Sequence, residues 1–320
     1  MAQSTSRYVD ECLRSAEEQG LLMFSAAGSL RCALDRRIAW GEVVRPLPGM
    51  YARAEWWRDR PWREQVMCKI RSYAALRPQC TFCSYTAAFL LGIQVPKATI
   101  MGPLHVMADC GNDTGLVTRH GITSCGVDHV DQLTVTSLER TAFDCMRALG
   151  FRNGLAVADS YLRLSGLDRA DAAGTIDHRF RGHRGIRRVR SYLAHADGRS
   201  ENGGESYVRA VMIEHGVQLP ELQVVIPRPD NPRRSYRMDF FWELPGGVLI
   251  DGELDGFDKT EDEEMRDGRT RAEVLDAERT RGSLITSRGI RVVRFTFDMA
   301  LKTYPLLERL DLYGIPRAGV

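Results

Sequence analysis

The stretch Tyr236–Asp255 leaves a chain little choice of fold. Two runs that alternate apolar and polar residues flank Pro245-Gly246-Gly247, and a period of two around a glycine-rich loop predicts an antiparallel hairpin. Pairing Leu244 with Val248 across the loop sets Asp239 opposite Glu253, Phe241 opposite Asp251 and Arg237 opposite Asp255. Met238, Phe240, Trp242, Leu244, Val248, Ile250 and Leu254 then share an apolar face. The other face carries Asp239, Asp251, Glu253 and Asp255, with Phe241 and Leu249 among them. Like charges directly opposed, with Cβ atoms only ~5 Å apart, repel. A cation must therefore answer them: a hard divalent ion with oxygen ligands, Mg²⁺ or Mn²⁺, or the salt-bridging side chains Arg237 and Lys259. The register decides the matter, because a slip of one residue moves every side chain to the other face.

Around this hairpin, Glu205 to His215 reads as a helix with Val208, Met212 and Ile213 at helical spacing and Glu205 in its first turn. Leu222 to Ile226 reads as a strand, and Pro227 to Arg234 as a loop. The polar, glycine-rich Asp197–Gly204 is the best boundary with what precedes.

The amino-terminal end reads helix, helix, helix, hairpin. Tyr8 to Glu18 carries a stripe of Val9, Cys12, Leu13 and Ala16. Ser25 starts a short helix that Gly28 stops, and Ser29 is placed to cap a third helix, Leu30 to Ala39. Val43 to Tyr51 then gives two short strands around Pro48-Gly49. Three small helices and a two-stranded wing make a winged-helix plan, whose third helix usually enters the DNA major groove. Here that helix shows Arg31, Arg36 and Arg37, and Arg45 lies on the first wing strand. Arginines so placed hold phosphates or guanine edges; the alternative is a solvated helix face.

Between these ends, helices are expected at Gln65–Leu76, Ser84–Leu91 and Leu138–Leu149, and strands at Leu104–Ala108 and Gln132–Thr136. The basic run Arg179–Arg190 holds Arg184, Arg187 and Arg188, either a track for a phosphate backbone or a solvated surface. Only four of the 44 basic residues are lysine, against 42 acidic ones, for a net charge of +2. Arginine suits phosphate, although codon bias would produce the same excess. The eight cysteines all precede residue 146, and Cys80-x-x-Cys83 lacks the second close pair that a zinc site needs. Met1 to Gln19 does not read as a leader, and no apolar run reaches the ~18 residues of a membrane span. A cytoplasmic protein with reduced thiols is expected.

Glu205, then Asp239-Phe240, then Glu253-Leu254-Asp255-Gly256 resembles the PD-(D/E)XK nuclease superfamily, and most closely its domains similar to very-short-patch-repair endonucleases. Asp276-Ala277-Glu278-Arg279 and Gly289 to Phe295 resemble that branch's helix and arginine-ended strand. The resemblance covers about Glu205 to Leu301. It implies a metal held by Asp239, Glu253 and the Leu254 carbonyl, with Glu205 and Lys259 completing the catalytic set. One departure is that Asp255 stands where the superfamily usually has lysine. The earlier part of the chain resembles AbiEi-like antitoxins through Gly49-Met50-Tyr51, Ser84 to Gly92, and Thr136-Ser137 with Arg140-Thr141 and Asp144. That resemblance implies DNA binding without chemistry.

The expectation is a multi-domain α/β and α+β chain: a winged helix over 1–55, a mixed region over 56–196 and a restriction-endonuclease-like α/β core over 197–320. Its expected activity is Mg²⁺- or Mn²⁺-dependent hydrolysis of double-stranded DNA, and the alternative is a non-enzymatic repressor or antitoxin with a degenerate nuclease fold. A cognate toxin or a second copy of the chain is a further expected partner.

Overall fold

The computed structural model describes residues 2–25, 28–108, 113–122, 126–228, 230–231, 233–255, 279 and 281–318. The fold is mixed α/β with three sheets, divided into two compact units, Met1–Cys145 and Met146–Val320.

The first unit opens with α1 (Ala2–Glu18), β1 (Met23–Phe24), α2 (Ser29–Ala39), β2 (Val43–Leu47) and β3 (Met50–Arg53). The strands form an antiparallel sheet in the order β1-β3-β2. The stripe on α1 does what its spacing predicts, since Val9 and Leu13 are buried against Leu34, Val43 and Tyr51. One expectation is corrected. Where a short helix from Ser25 to Gly28 was expected, Met23–Phe24 is a strand paired to Tyr51 and Met50, Ser25 donates its N–H to the Gly49 carbonyl, and neither Ser25 nor Gly28 is helical. Edge pairing satisfies these amides, so no helical turn is needed there. Gly28, and not Ser29, is the N-cap of α2, without a side-chain cap.

A mixed five-stranded sheet follows, in the order β6-β5-β4-β8-β7. Its strands are β4 (Thr81–Phe82), β5 (Leu104–Met107), β6 (Val117–His120), β7 (Val127–Val130) and β8 (Leu133–Thr136). They are packed with α3 (Ala54–Arg58), α4 (Trp62–Leu76), α5 (Ser84–Leu91) and α6 (Lys97–Met101), and α7 (Leu138–Ala148) follows β8. The threonine-serine-arginine-threonine-aspartate motif is spent locally at the start of α7. Thr141 Oγ1 donates to the Thr136 carbonyl at 3.0 Å, Ser137 Oγ accepts the Arg140 N–H at 3.3 Å, and Arg140 pairs with Asp144 at 2.7 Å. These bonds answer groups that a buried helix start otherwise leaves open.

The second unit begins with α8 (Phe151–Ser165), α9 (Arg169–Phe180), α10 (Ile186–Leu193) and α11 (Gly203–Glu214). Residues 146–196, read from sequence with the middle region, thus fall in the same compact unit as the last third. Asp159 of α8 and Arg209 of α11, 0% and 6% exposed, form an ion pair in which Nη2 of the arginine reaches both carboxylate oxygens, at 2.7 and 2.8 Å. The Asp197 N–H donates to the same aspartate, and Arg209 donates to the His195 carbonyl.

Next come β9 (Glu221–Pro227), β10 (Ser235–Leu244), β11 (Val248–Asp255), the helical residues 281–286 (α12), β12 (Ile290–Thr296), α13 (Phe297–Lys302) and α14 (Tyr304–Leu312). The sheet order is β12-β11-β10-β9, with β11 and β12 parallel and the other pairs antiparallel. From Leu244–Val248 to Phe240–Gly252 the hairpin register is the one read from the alternation; the expected Asp239–Glu253 and Arg237–Asp255 pairs lie beyond the paired residues. Phe240, Trp242, Leu244 and Ile250 enter the main core with Val293, Phe295 and residues of α11 and α14. Each large apolar side chain so buried contributes about 1.5–3 kcal/mol. Gly252 is required here, because a Cβ would stand 2.7 Å from the Trp242 ring. Met238 departs from the expected face and packs with Ile285 and Ile290, beside Phe241 and Leu249. The cause is local: the ladder to β9 pairs Met238 with Val224 and Phe240 with Leu222 but lapses at Asp239, opposite Gln223 with its positive φ of 56°. The alternation breaks at that point.

Candidate active site

Burial sorts the acidic residues of the hairpin. Asp251 is 0% and Glu253 7% exposed; Asp239 is half-buried and Asp255 exposed. Period-two geometry puts Asp251, Glu253 and Asp255 on one side of β11. Two arginines meet them. Arg281 Nη2 stands 3.1 Å from Glu253 Oε1, Arg294 Nη2 stands 2.6 Å from Glu253 Oε2, and Arg294 Nη1 reaches Asp255 at 3.2 Å. Arg294 lies on β12 directly across from Glu253, as the parallel register requires. The cations expected from sequence were Arg237 and Lys259. Arg237 instead pairs with Glu201, and Lys259 lies outside the described residues.

Asp251 is less well served. Both its carboxylate oxygens are buried without a hydrogen-bond partner among the described residues, whereas Glu253 Oε1, also buried, has the Arg281 ion pair. Burial pushes the Asp251 carboxyl up to about 7; Glu253 and Asp239 add to the rise, while Arg281 and Arg294 oppose it.

Glu205 sits 3% exposed in the first turn of α11. Asn202 caps that helix by accepting the Glu205 N–H at 3.0 Å, and the Glu205 carboxylate accepts the Glu201 N–H at 2.8 Å and the Asn202 side-chain amide. This is a variant of the capping box in which Glu205 reaches the amide before the N-cap, a structural role that the residue fills whatever else it does. Gln223 Nε2 donates to Glu205 from 3.3 Å. Burial pushes Glu205 up to about 7, and Asp239 is one of the charges adding to the rise. Asp239 therefore lies within electrostatic reach of both Glu205 and Asp251.

Asp239 thus acts on both Glu205 and Asp251, while Glu253, Arg281 and Arg294 act on Asp251. Leu254, whose carbonyl was the third expected ligand, pairs with Phe295 in the ladder and packs on the main core. Among the described residues, no three His, Cys, Asp or Glu side chains stand close enough together to hold a metal ion. Glu253 is held through both oxygens by Arg281 and Arg294, so that Asp251 alone of these carboxylates has both oxygens without a hydrogen-bond partner among the described residues. Arg281 escaped the sequence reading because the crossover after β11 alone brings it to this face, and no local spacing marks it.

The expected DNA-contacting arginines differ in their freedom. In the first unit Arg31 is 3.8 Å from Asp35, while Arg36 and Arg45 are exposed. Arg37 is 13% exposed at its side chain, engaged by both oxygens of Asp10 and by Ser6. That pairing holds the Asp10 carboxyl below its ordinary range. In the second unit Arg184, Arg187 and Arg188 are exposed between α9 and α10 and on α10, and Arg188 donates to the Arg147 carbonyl at 3.0 Å. Cys80 and Cys83 are not joined in a disulfide, and His105 Nδ1 meets His120 Nε2 at 2.8 Å. Cys110 and Cys125 lie outside the described residues. Among the described residues no helix is long and apolar enough to cross a membrane.

No protein family and no solved structure matches the chain. Two proteins of Mycobacterium tuberculosis, uncharacterized protein MT2308 and uncharacterized protein Rv2248, are each 32% identical to it over 212 residues, which is 66% of this chain and 74% of their own length. The chain belongs to the family of these two mycobacterial proteins.

Proposed function

We propose that this protein binds double-stranded DNA and hydrolyses its phosphodiesters with a divalent metal, Mg²⁺ or Mn²⁺. One observation carries the reading: Asp251 is fully buried with neither carboxylate oxygen hydrogen-bonded among the described residues, and Asp239 lies in electrostatic reach of both Asp251 and Glu205. A buried carboxylate without such a partner is costly, and functional sites are where such costs concentrate. Asp239, Glu253 and the Leu254 carbonyl would hold the ion. When bound, it would supply an acidified water and neutralise charge growing on the phosphate. Glu205, poised near 7, is suited to exchange a proton with that water. Arg281 and Arg294 are suited to a phosphate oxygen once released from Glu253.

The architecture supports the domain reading. The β1-β3-β2 sheet with α1 and α2 fits a winged-helix module, in which Arg36 and Arg45 are the arginines freest to meet DNA. The four-stranded sheet carrying the acidic hairpin, with α11 in its main core and α12 at the smaller cluster, fits a restriction-endonuclease-like core. The repressor or antitoxin reading has its own support. Glu253 is already answered by two arginines, and Asp255 stands in the lysine position, as expected of a degenerate site. Incubating the full chain with supercoiled plasmid, with and without Mn²⁺, separates the two. The nuclease nicks or linearises the plasmid only with metal; the repressor leaves it intact and shifts its own operator without metal.

A further inference from the structure

We propose that the β9–β10 hairpin is an arm that grips the phosphate backbone of duplex DNA through Arg233 and Arg234, a contact that deepens the reading of this protein as DNA-binding and rests on it. The ladder marks where the arm begins. β10 is paired with β11 only as far as Phe240–Gly252, whereas its pairing with β9 runs on from Met238–Val224 to Ser235–Pro227. Beyond Phe240, β10 is therefore laddered to β9 alone, as a two-stranded ribbon. The irregularity at Asp239 and Gln223 falls where this ribbon leaves the sheet, and such breaks re-aim a strand. A ribbon of two strands is narrow enough to lie in a major groove.

Residues 224–237 carry four arginines against one aspartate. Arg228 is held by that aspartate, donating to both oxygens of Asp230 at 2.9 and 2.6 Å, and Arg237 pairs with Glu201. Arg233 and Arg234 are exposed at the tip, and neither guanidinium has an acidic partner among the described residues. Backbone bonds close the turn that presents them. The Arg228 N–H donates to the Arg234 carbonyl at 2.8 Å, the Arg234 N–H to the Asn231 carbonyl at 2.9 Å, and the Arg233 N–H to the Asn231 side chain at 3.1 Å. Two arginines side by side on a closed turn, with no carboxylate to neutralise them, suit successive phosphates. The base of the arm is tied to the candidate site. Arg281 Nη2, which stands against Glu253, also donates to the Arg237 carbonyl at 2.8 Å. The Arg228 and Arg281 guanidinia lie 5.0 and 5.8 Å from the centre of the Tyr236 ring, within reach of cation–π attraction. These contacts join the arm to α12 and so to the acidic face.

The test is anisotropy titration of a labelled random-sequence duplex with the full chain, in chelator and at several salt concentrations. The wild type is compared with Arg233→Ala/Arg234→Ala, Arg233→Lys/Arg234→Lys and Arg288→Ala, with melting curves alongside. Arg288 is the control, an exposed arginine just before β12 at the opposite end of the sheet, where Ile290 pairs with Leu249. The alanine pair should stay folded and lower the slope of log affinity against log salt by about 1.8, since each phosphate contact is worth ~0.9. The lysine pair keeps both charges and should hold the wild-type slope, as should Arg288→Ala. If the wild type binds and the alanine pair keeps its slope, the arm is overturned and DNA binding stands. The arm also falls if Arg288→Ala lowers the slope by half as much as the alanine pair, as diffuse charge would, or if the lysine pair falls with the alanine pair. Loss of folding in the alanine pair would overturn it too, by making the arginines structural. A wild type that binds no duplex overturns the arm and the DNA-binding reading together.

Discussion

Asp159 and Asp251 are both fully buried aspartates in the same compact unit, and the fold treats them in opposite ways. Asp159 is held by one guanidinium nitrogen shared between its two oxygens and by a backbone amide. Asp251 lies in electrostatic reach of two carboxylates and two arginines, and its oxygens have no hydrogen-bond partner among the described residues. The first arrangement joins α8 to α11. The second carries a cost, since a buried carboxylate without a hydrogen bond is expensive. A residue that holds the structure together and one that waits for something else can thus be told apart by their partners, though not by their burial.

Removing Arg209 should have the largest effect. Arg209→Met leaves Asp159 buried and alone, and stability measured by urea unfolding should fall by roughly 3–5 kcal/mol. A loss under about 1 kcal/mol would mean that the pair is dispensable and the comparison empty. Neutralising Asp251 should act with the opposite sign: in chelator, Asp251→Asn should unfold at higher urea by about 1–3 kcal/mol, the scale of an unsatisfied buried group. Destabilisation would place Asp251 with Asp159.

The pH dependence sharpens the same contrast. Glu205 is raised from 4.5 to about 7 in the folded protein. The folded state therefore binds the proton more tightly than the unfolded chain does. Its contribution to stability is fully present below 4.5 and is lost as pH rises through about 7. Metal-free wild type should melt progressively lower across that interval, and Glu205→Gln should flatten the trend; an unchanged slope would mean that the carboxylate is well solvated. A smaller effect separates two neighbouring arginines. Arg37→Ala should cost about 1 kcal/mol through loss of the Asp10 contact. Arg36→Ala should leave stability alone and reduce the salt dependence of duplex binding by ~0.9 in slope. If Arg36→Ala leaves that slope unchanged, the first unit serves some purpose other than phosphate contact.

What the sequence disclosed follows from how local each signal is. The hairpin register was legible, because alternation and a three-residue loop leave one pairing that buries Trp242 and Ile250 together. So were the stripe of α1 and the extent of α5. Met238 was misplaced because the irregularity opposite Gln223 lies on a neighbouring strand and has no mark in β10 itself. The helix expected at Ser25 gave way to edge pairing with β3, a tertiary contact. The acidic face was visible, yet its compensating charges were not. Arg294 reaches Glu253 through a parallel register set by a crossover, and Arg281 comes from α12 within it. Nor could sequence distinguish Asp251 from Asp159, since only the folded chain shows which carboxylate has a partner.

The account turns on whether the acidic face handles a metal and cuts DNA. The most direct measurement is plasmid cleavage by the wild type and by Asp239→Asn at millimolar Mn²⁺, with both melted at the same metal concentration. The account predicts metal-dependent nicking and a raised melting temperature for the wild type, with neither in the variant, as mass action on a bound ion requires. Intact plasmid and an unmoved melting temperature for the wild type would contradict it, and would leave the acidic face of β11 as the remnant of a site in a DNA-binding protein.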